Sequence, residues 1–130
     1  MNKEDHVQYW IITAAKDWEV VQDLLQSGQY IYALFFAHLA LEKLLKGHWV
    51  NDNEGNYPPR THSLVRIAEG IDQKFDEETL AFLERMNDFQ LEGRYPDYQF
   101  RIYQACNKEF TEQVLDKVNS IRLCLLERLQ

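Results

Sequence analysis

Apolar residues recur at spacings of three and four along most of this chain, and no segment alternates apolar and polar residues as a strand does. That period belongs to a helix with one buried side, so it predicts an all-α fold. The main interruptions are Ser27-Gly28, the segment 52–62 and the segment 93–97, which combine Gly, Pro and polar residues. Short connections between helical segments favour an up-and-down bundle.

We predict a single domain, residues 1–130, that contains four main helices and one short helix. The second main helix is apolar on most sides, so we expect it to lie at the centre of the bundle. Gly28 is suited to the left-handed conformation that ends the first helix. Ser63 or Thr61 is suited to cap the short helix, and Asp76 the helix after it. The main helices are predicted at 5–26, at 30–51, at 76–91 and from a start within 104–108 to the C-terminus, with the short helix at 63–73.

Composition narrows the function classes. The formal net charge of −7 lacks the positive field that drives general nucleic-acid binding, although a local basic patch can still bind a nucleotide or RNA. The two cysteines follow no CxxC spacing, which is typical of reduced thiols. The charged N-terminus has no signal sequence and no apolar run is long enough to span a membrane. We therefore expect a cytoplasmic protein that does not contact membranes.

The first polar cluster lies within the most apolar helix. Glu42 and Lys46 are four residues apart, in the favourable order for an ion pair, and Lys43 lies between them. One interpretation is a partly exposed salt bridge with a second lysine whose ammonium reaches solvent. The other is functional, because charges on a nearly buried helix must be paired or face a polar cleft.

The second cluster is Arg60-Thr61-His62, in a loop that Pro58-Pro59 stiffens into an extended segment. Arg60 and His62 precede a predicted helix, and the N-terminus of a helix attracts anions. The sequence leaves open whether these residues bind an anion or are an ordinary solvated loop.

The third cluster runs from Arg94 through Tyr95 to Asp97 and continues into Phe100-Arg101-Ile102-Tyr103. Arginines interleaved with aromatic rings suit phosphate pairing and base stacking. Equally, the segment fits a loop that packs its rings on the bundle while Arg94 pairs with Asp97.

Metal, cofactor and catalytic motifs are absent from the sequence. His38 and Glu42 are one helical turn apart, but there is no HExxH pattern, so His38 is expected in the core or at an interface. No Gly-rich phosphate loop and no GxSxG is present. We therefore expect no metal, no cofactor and no catalytic residue.

Taken together, three segments resemble the HEPN family of small helical-bundle proteins, over nearly the whole chain. They read Ala40-x-Glu42-Lys43-x-x-Lys46, Thr61-His62-x-Leu64 and Arg94-Tyr95-Pro96. Each segment alone is a weak signal, whereas their order and spacing together are fairly specific.

The resemblance implies a homodimer of helical bundles with a nucleotide- or RNA-binding cleft near the dimer interface. It also implies a small nucleotidyltransferase as partner, with this chain as the non-catalytic substrate-binding or regulatory half. Residues proposed to form the ligand site are Glu42, Lys43, Lys46, Arg60, His62, Arg94, Tyr95 and Asp97. Lys43, Lys46 and Arg94 supply positive charge, Glu42 and Asp97 orient those cations, and Tyr95 stacks on a base.

Two alternatives belong to other classes. A second branch of the family consists of metal-independent RNases, often toxins, whose motif is an arginine followed four to six residues later by a histidine. This chain departs from that motif, because all four histidines precede position 63, and only His62 near Arg94 could replace it. The third hypothesis is a structural dimerisation module whose polar residues hold the interface.

Overall fold

The described residues form six α-helices and no strand, which confirms the predicted all-α class and bundle. The computed structural model describes residues 2–90 and 96–129, except for the side chains of 96–99. None of the described helices is long and apolar enough to cross a membrane. The helices are α1 (Lys3–Gln26), α2 (Tyr30–Asp52), α3 (Leu64–Ala68), α4 (Glu77–Met86), α5 (Pro96–Ala105) and α6 (Lys108–Leu129), with a 3₁₀ turn, Asn87–Phe89, after α4.

Helix α2 lies at the centre of the bundle, as its apolar sequence predicts. It packs against α1, α3 and α6, and many of its side chains are completely buried. Transfer of this apolar surface out of water is the main force that holds the helices together. The largest fully buried side chains of α2 are Leu34, His38, Leu41, Leu44 and Leu45.

Local capping signals set the helix ends. Asn2 and Asp5 form a capping box at the start of α1, with the Asp5 amide 2.8 Å from the Asn2 side-chain oxygen. Gly28 has a φ of +77°, so the left-handed residue predicted after α1 is confirmed. Ser63 and Asp76 accept hydrogen bonds from the Arg66 and Thr79 amides, so Asp76 is confirmed as an N-cap, and of the two candidates for the short helix Ser63 is the cap.

The third helix is shorter than predicted, ending at Ala68 instead of extending to 73. Polar side chains at the end of α2 form hydrogen bonds with backbone groups that would bond within the helix if α3 were longer. The side-chain amide of Asn53 donates to the Gly70 carbonyl at 2.9 Å, and the Asp52 carboxylate accepts from the backbone amide of Asp72 at 2.8 Å. Trp49 covers the same turn, because a Cβ on Gly70 would lie 2.8 Å from its indole ring.

Helix α5 was not among the predicted helices. The aromatic residues near Arg101 were expected in a loop, because Pro96 disfavours helix at the residue before it. Pro96 is instead the first residue of α5. The first amides of a helix have no carbonyl partner within the helix, so the N–H that proline lacks is not needed there. The predicted start of the last helix within 104–108 is confirmed by α6.

Candidate functional site

A buried carboxylate, Glu42, lies at the middle of α2 and is bonded to two basic side chains. Its residue is 3% exposed. Lys46 Nζ donates to one carboxylate oxygen at 3.0 Å, and His62 Nδ1 lies 2.9 Å from the other. Two such partners offset the cost of removing a carboxylate from water. The predicted pair between Glu42 and Lys46 is therefore present, and the fold brings His62 to it.

His62 reaches Glu42 from the proline loop. The Thr61 hydroxyl accepts from the Ser63 amide at 3.1 Å, and Ser63 caps α3, so the backbone on both sides of His62 is held. A carboxylate can only accept, so Nδ1 of His62 carries the hydrogen in this contact. The His62 side chain is 50% exposed. An oriented imidazole with half its surface in solvent can bind a ligand or transfer a proton.

Beneath this pair lies a second, fully buried histidine, His38. Its Nε2 is 3.2 Å from the side-chain oxygen of Asn87, and its Nδ1 is 3.9 Å from Glu42. The same Asn87 oxygen accepts from the Leu64 amide at 3.3 Å, which ties the start of α3 to the cluster. Burial lowers the pKa of His38, and the contacts with Asn87 and Glu42 oppose that shift in part. The set His38, Glu42, Lys46, His62 and Asn87 is called the Glu42 cluster below.

Acid is expected to destabilise the protein through His38. Its pKa in the folded chain lies below the ordinary 6.5, so the unfolded chain takes up the proton first. Stability therefore falls as the pH drops from about 7.5 through 6.5, by at most about 1.4 kcal/mol per pH unit from this group. Urea unfolding between about pH 8 and 5 measures the slope, which His38→Gln should reduce. Equal slopes in the two proteins would refute this assignment.

Lys43 belongs to a different contact. Its ammonium lies 2.8 Å from the carboxylate of Asp17, a buried residue of α1, and this ion pair joins α1 to α2. The ammonium of Lys46 faces the Glu42 cluster and lies 5.7 Å from the ring centroid of Trp10. The structure thus separates two lysines that the sequence placed in one group.

The other predicted site residues are distributed differently. Arg60 is exposed in the proline loop, two residues before His62. Arg94 and Tyr95 lie outside the described residues, as does the side chain of Asp97, so their role in a site stays a prediction. The amides of Leu64 and Arg66 at the start of α3 bond to Asn87 and Ser63, so anion binding at the second cluster would rest on the side chains of Arg60 and His62 and stays a prediction.

Two members of the buried polar contacts were missed in the sequence, although both carried a signal. Asp17 lies between Ala14 and Val21 on the apolar stripe of α1. Asn87 follows Leu83 by four residues, on the buried side of α4. A polar residue on the buried side of a helix needs a hydrogen-bond or ion-pair partner. A search of the sequence for such residues would have identified Asp17 and Asn87.

Among residues 2–90 and 100–129, no group of three or more His, Cys, Asp or Glu side chains is arranged to hold a metal ion. The nearest approach to such a group is the pair of histidines at Glu42, where Lys46 already occupies one carboxylate oxygen. The polar groups in contact at this site are the imidazole of His62, the carboxylate of Glu42 and the ammonium of Lys46.

Comparison with known proteins gives a family and a fold. The family model described as "HEPN domain" matches residues 7–129. No curated protein matches the sequence. The crystal structure of TT1696 from Thermus thermophilus is similar, with 21% identity, a TM-score of 0.74, and coverage of 95% of this chain and 98% of that one. At this identity the likeness shows a shared helical fold.

Proposed function

The chain belongs to the HEPN domain family, and from this premise we propose that it binds a nucleotide or RNA at the Glu42 cluster. It does so as the non-catalytic, substrate-binding or regulatory partner of a small nucleotidyltransferase. The observation that carries the proposal is the pairing of buried Glu42 with half-exposed His62 at 2.9 Å. A carboxylate that served packing alone would not need to fix an imidazole at the surface.

Phosphate recognition is assigned to the basic groups around this pair. Glu42 holds His62 in one orientation, so less side-chain freedom is lost when a ligand binds. Arg60 precedes it by two residues and is exposed, and a guanidinium forms paired hydrogen bonds with phosphate oxygens. Lys46 adds positive charge beside Glu42. Arg60 and Lys46, together with the His62 imidazole, give a local basic patch on a chain of net charge −7.

Base recognition is assigned to the same loop. Tyr57 is 82% exposed, and its ring meets that of His6 edge to face at 5.7 Å between centroids. An exposed tyrosine held on one edge offers a flat surface on which any base can stack. Tyr95, with Arg94 and Asp97, is proposed to complete the site.

Titration calorimetry of the full chain with ATP, GTP and a short single-stranded RNA tests the proposal. We expect binding of at least one of them, weakened about tenfold by His62→Ala or Arg60→Ala, which is about 1.4 kcal/mol. Arg66→Ala, an exposed arginine on α3, serves as the matched control and should leave affinity unchanged. Absence of heat with all three at millimolar concentration would contradict nucleotide binding.

A homodimer is proposed on the outer surface of α1 and α2. Tyr9 and Ile12 lie one turn apart on α1 and each expose about half of their surface, and Tyr32 of α2 is exposed to a similar extent, so a second chain would have apolar side chains to cover. Light scattering should give twice the 15.5 kDa mass of one chain, and Ile12→Asp should shift the mass toward a single chain. A single-chain mass at about 100 μM for the native protein would refute the dimer.

Two alternatives make distinct predictions. The RNase alternative uses Arg94 with His62, and the pairing of His62 with Glu42 favours it because such a pair can accept a proton. It predicts RNA cleavage in EDTA that Arg94→Ala abolishes, and intact RNA after long incubation excludes it. The structural module predicts that Lys46→Ala and Arg94→Ala each weaken the dimer and alter no ligand affinity.

A further inference from the structure

A concave surface lies between α4 and α6, formed by residues outside the Glu42 cluster. It is a groove with a volume of about 480 Å³, within the range of small-molecule sites. Its apolar lining combines buried side chains of α4 and the 3₁₀ turn with side chains of α6. The apolar residues are Phe82, Met86, Phe89, Phe110 and Val114.

Two cations stand above one ring of this groove. The guanidinium carbon of Arg85 is 5.9 Å from the centroid of Phe82, and Lys117 Nζ is 5.3 Å from it. Lys117 lies 3.6 Å from Glu78, an exposed carboxylate and therefore a weak partner. Asp88 also lines the groove, so its charged lining residues are two cations and one anion. With Glu78 beside Lys117, the charged groups at the groove are two cations and two anions, so the preference for an anion rests on the two cations that meet at Phe82.

Three phenylalanines in the lining indicate the shape of the ligand. Phe89 and Phe110 meet edge to face, with centroids 6.3 Å apart, and Phe82 lies beneath the cations. Aromatic side chains bind a flat ring through offset or edge contacts. We propose that the α4–α6 groove binds a small aromatic carboxylate, whose ring contacts Phe82 and Phe110 and whose carboxylate pairs with Arg85 and Lys117.

The test uses 1-naphthoate as the probe and 1-naphthalenemethanol as its uncharged counterpart, in titrations of the full chain near neutral pH. We expect naphthoate to bind one site per chain, about tenfold more tightly than the alcohol. Arg85→Gln and Lys117→Gln should each weaken naphthoate binding about fivefold. Lys108→Gln, an exposed α6 lysine outside the groove, is the matched control and should have no effect.

Each contrary outcome overturns the proposal separately from the nucleotide site. Absence of naphthoate binding at millimolar concentration, or equal affinity for the alcohol, removes the anion site. If both glutamine variants bind naphthoate with the affinity of the native protein, and their melting temperatures are unchanged, the probe binds outside the groove. Competition by ATP assigns naphthoate to the Glu42 cluster and likewise overturns the assignment to the groove.

Discussion

Glu42→Ala is expected to lower the free energy of unfolding by about 3 kcal/mol. The change removes the acceptor for Lys46 and His62 and the anion nearest to His38. The Lys46 side chain is only 12% exposed, so its ammonium is left largely buried without its carboxylate. Denaturation by urea, followed by circular dichroism, gives the free energy directly.

A double-mutant cycle separates this pair from the packing of the helix. In the Glu42→Ala protein the Lys46 ammonium has no carboxylate partner, and Lys46→Ala removes that ammonium. The double variant should therefore lose less stability than the sum of the two single changes. Glu127→Ala, an exposed carboxylate on α6, is the control and should change stability by less than about 0.5 kcal/mol. A loss below about 1 kcal/mol for Glu42→Ala would contradict the buried pair.

Asp17→Ala is expected to cost about 2–3 kcal/mol, the second largest effect. Its carboxylate is buried between α1 and α2 and lies 2.8 Å from Lys43. Without it, the Lys43 ammonium loses its anion at a place where the lysine side chain is only 20% exposed. The same denaturation measurement applies, with Asp23→Ala, an exposed residue of α1, as the control.

Replacing both members of this second pair distinguishes an ion pair from simple loss of volume. Asp17→Leu combined with Lys43→Met keeps the space filled with apolar atoms, and such replacements are often neutral or stabilising. We expect most of the lost stability to return and nucleotide affinity to stay unchanged. If the double variant is as unstable as Asp17→Ala alone, the pair is not the source of the loss.

The helices could be predicted because periodicity and caps act locally. The boundaries of α1 and α2 follow from apolar spacing and from Gly28, and the start of α4 follows from Asp76. The short length of α3 could not be predicted, because it depends on Asn53 and on Asp52, from another part of the chain. The proline at the start of α5 could be interpreted as a helix breaker or a first residue, and local sequence does not decide between them.

The candidate site was predicted only in part, for the same reason. The spacing of Glu42 and Lys46 predicts their contact, since both lie on one helix. The contact of His62 with Glu42 spans 20 residues and a loop, so motif resemblance suggested the shared site and the fold was needed to give its geometry. Local spacing likewise could not show that Lys43 pairs with Asp17 on α1.

Nitrogen-15 NMR of the histidine rings, recorded above about pH 7.5 with and without ATP, addresses the role of His62 most directly. We predict hydrogen on Nδ1 of His62, held by Glu42, and a shift of Nε2 as ATP is added. His48, buried with Nε2 2.8 Å from the Leu125 carbonyl, is the internal control and should not shift. A His62 ring that keeps its hydrogen on Nε2, or stays unchanged while ATP binds, would contradict a ligand site organised by Glu42.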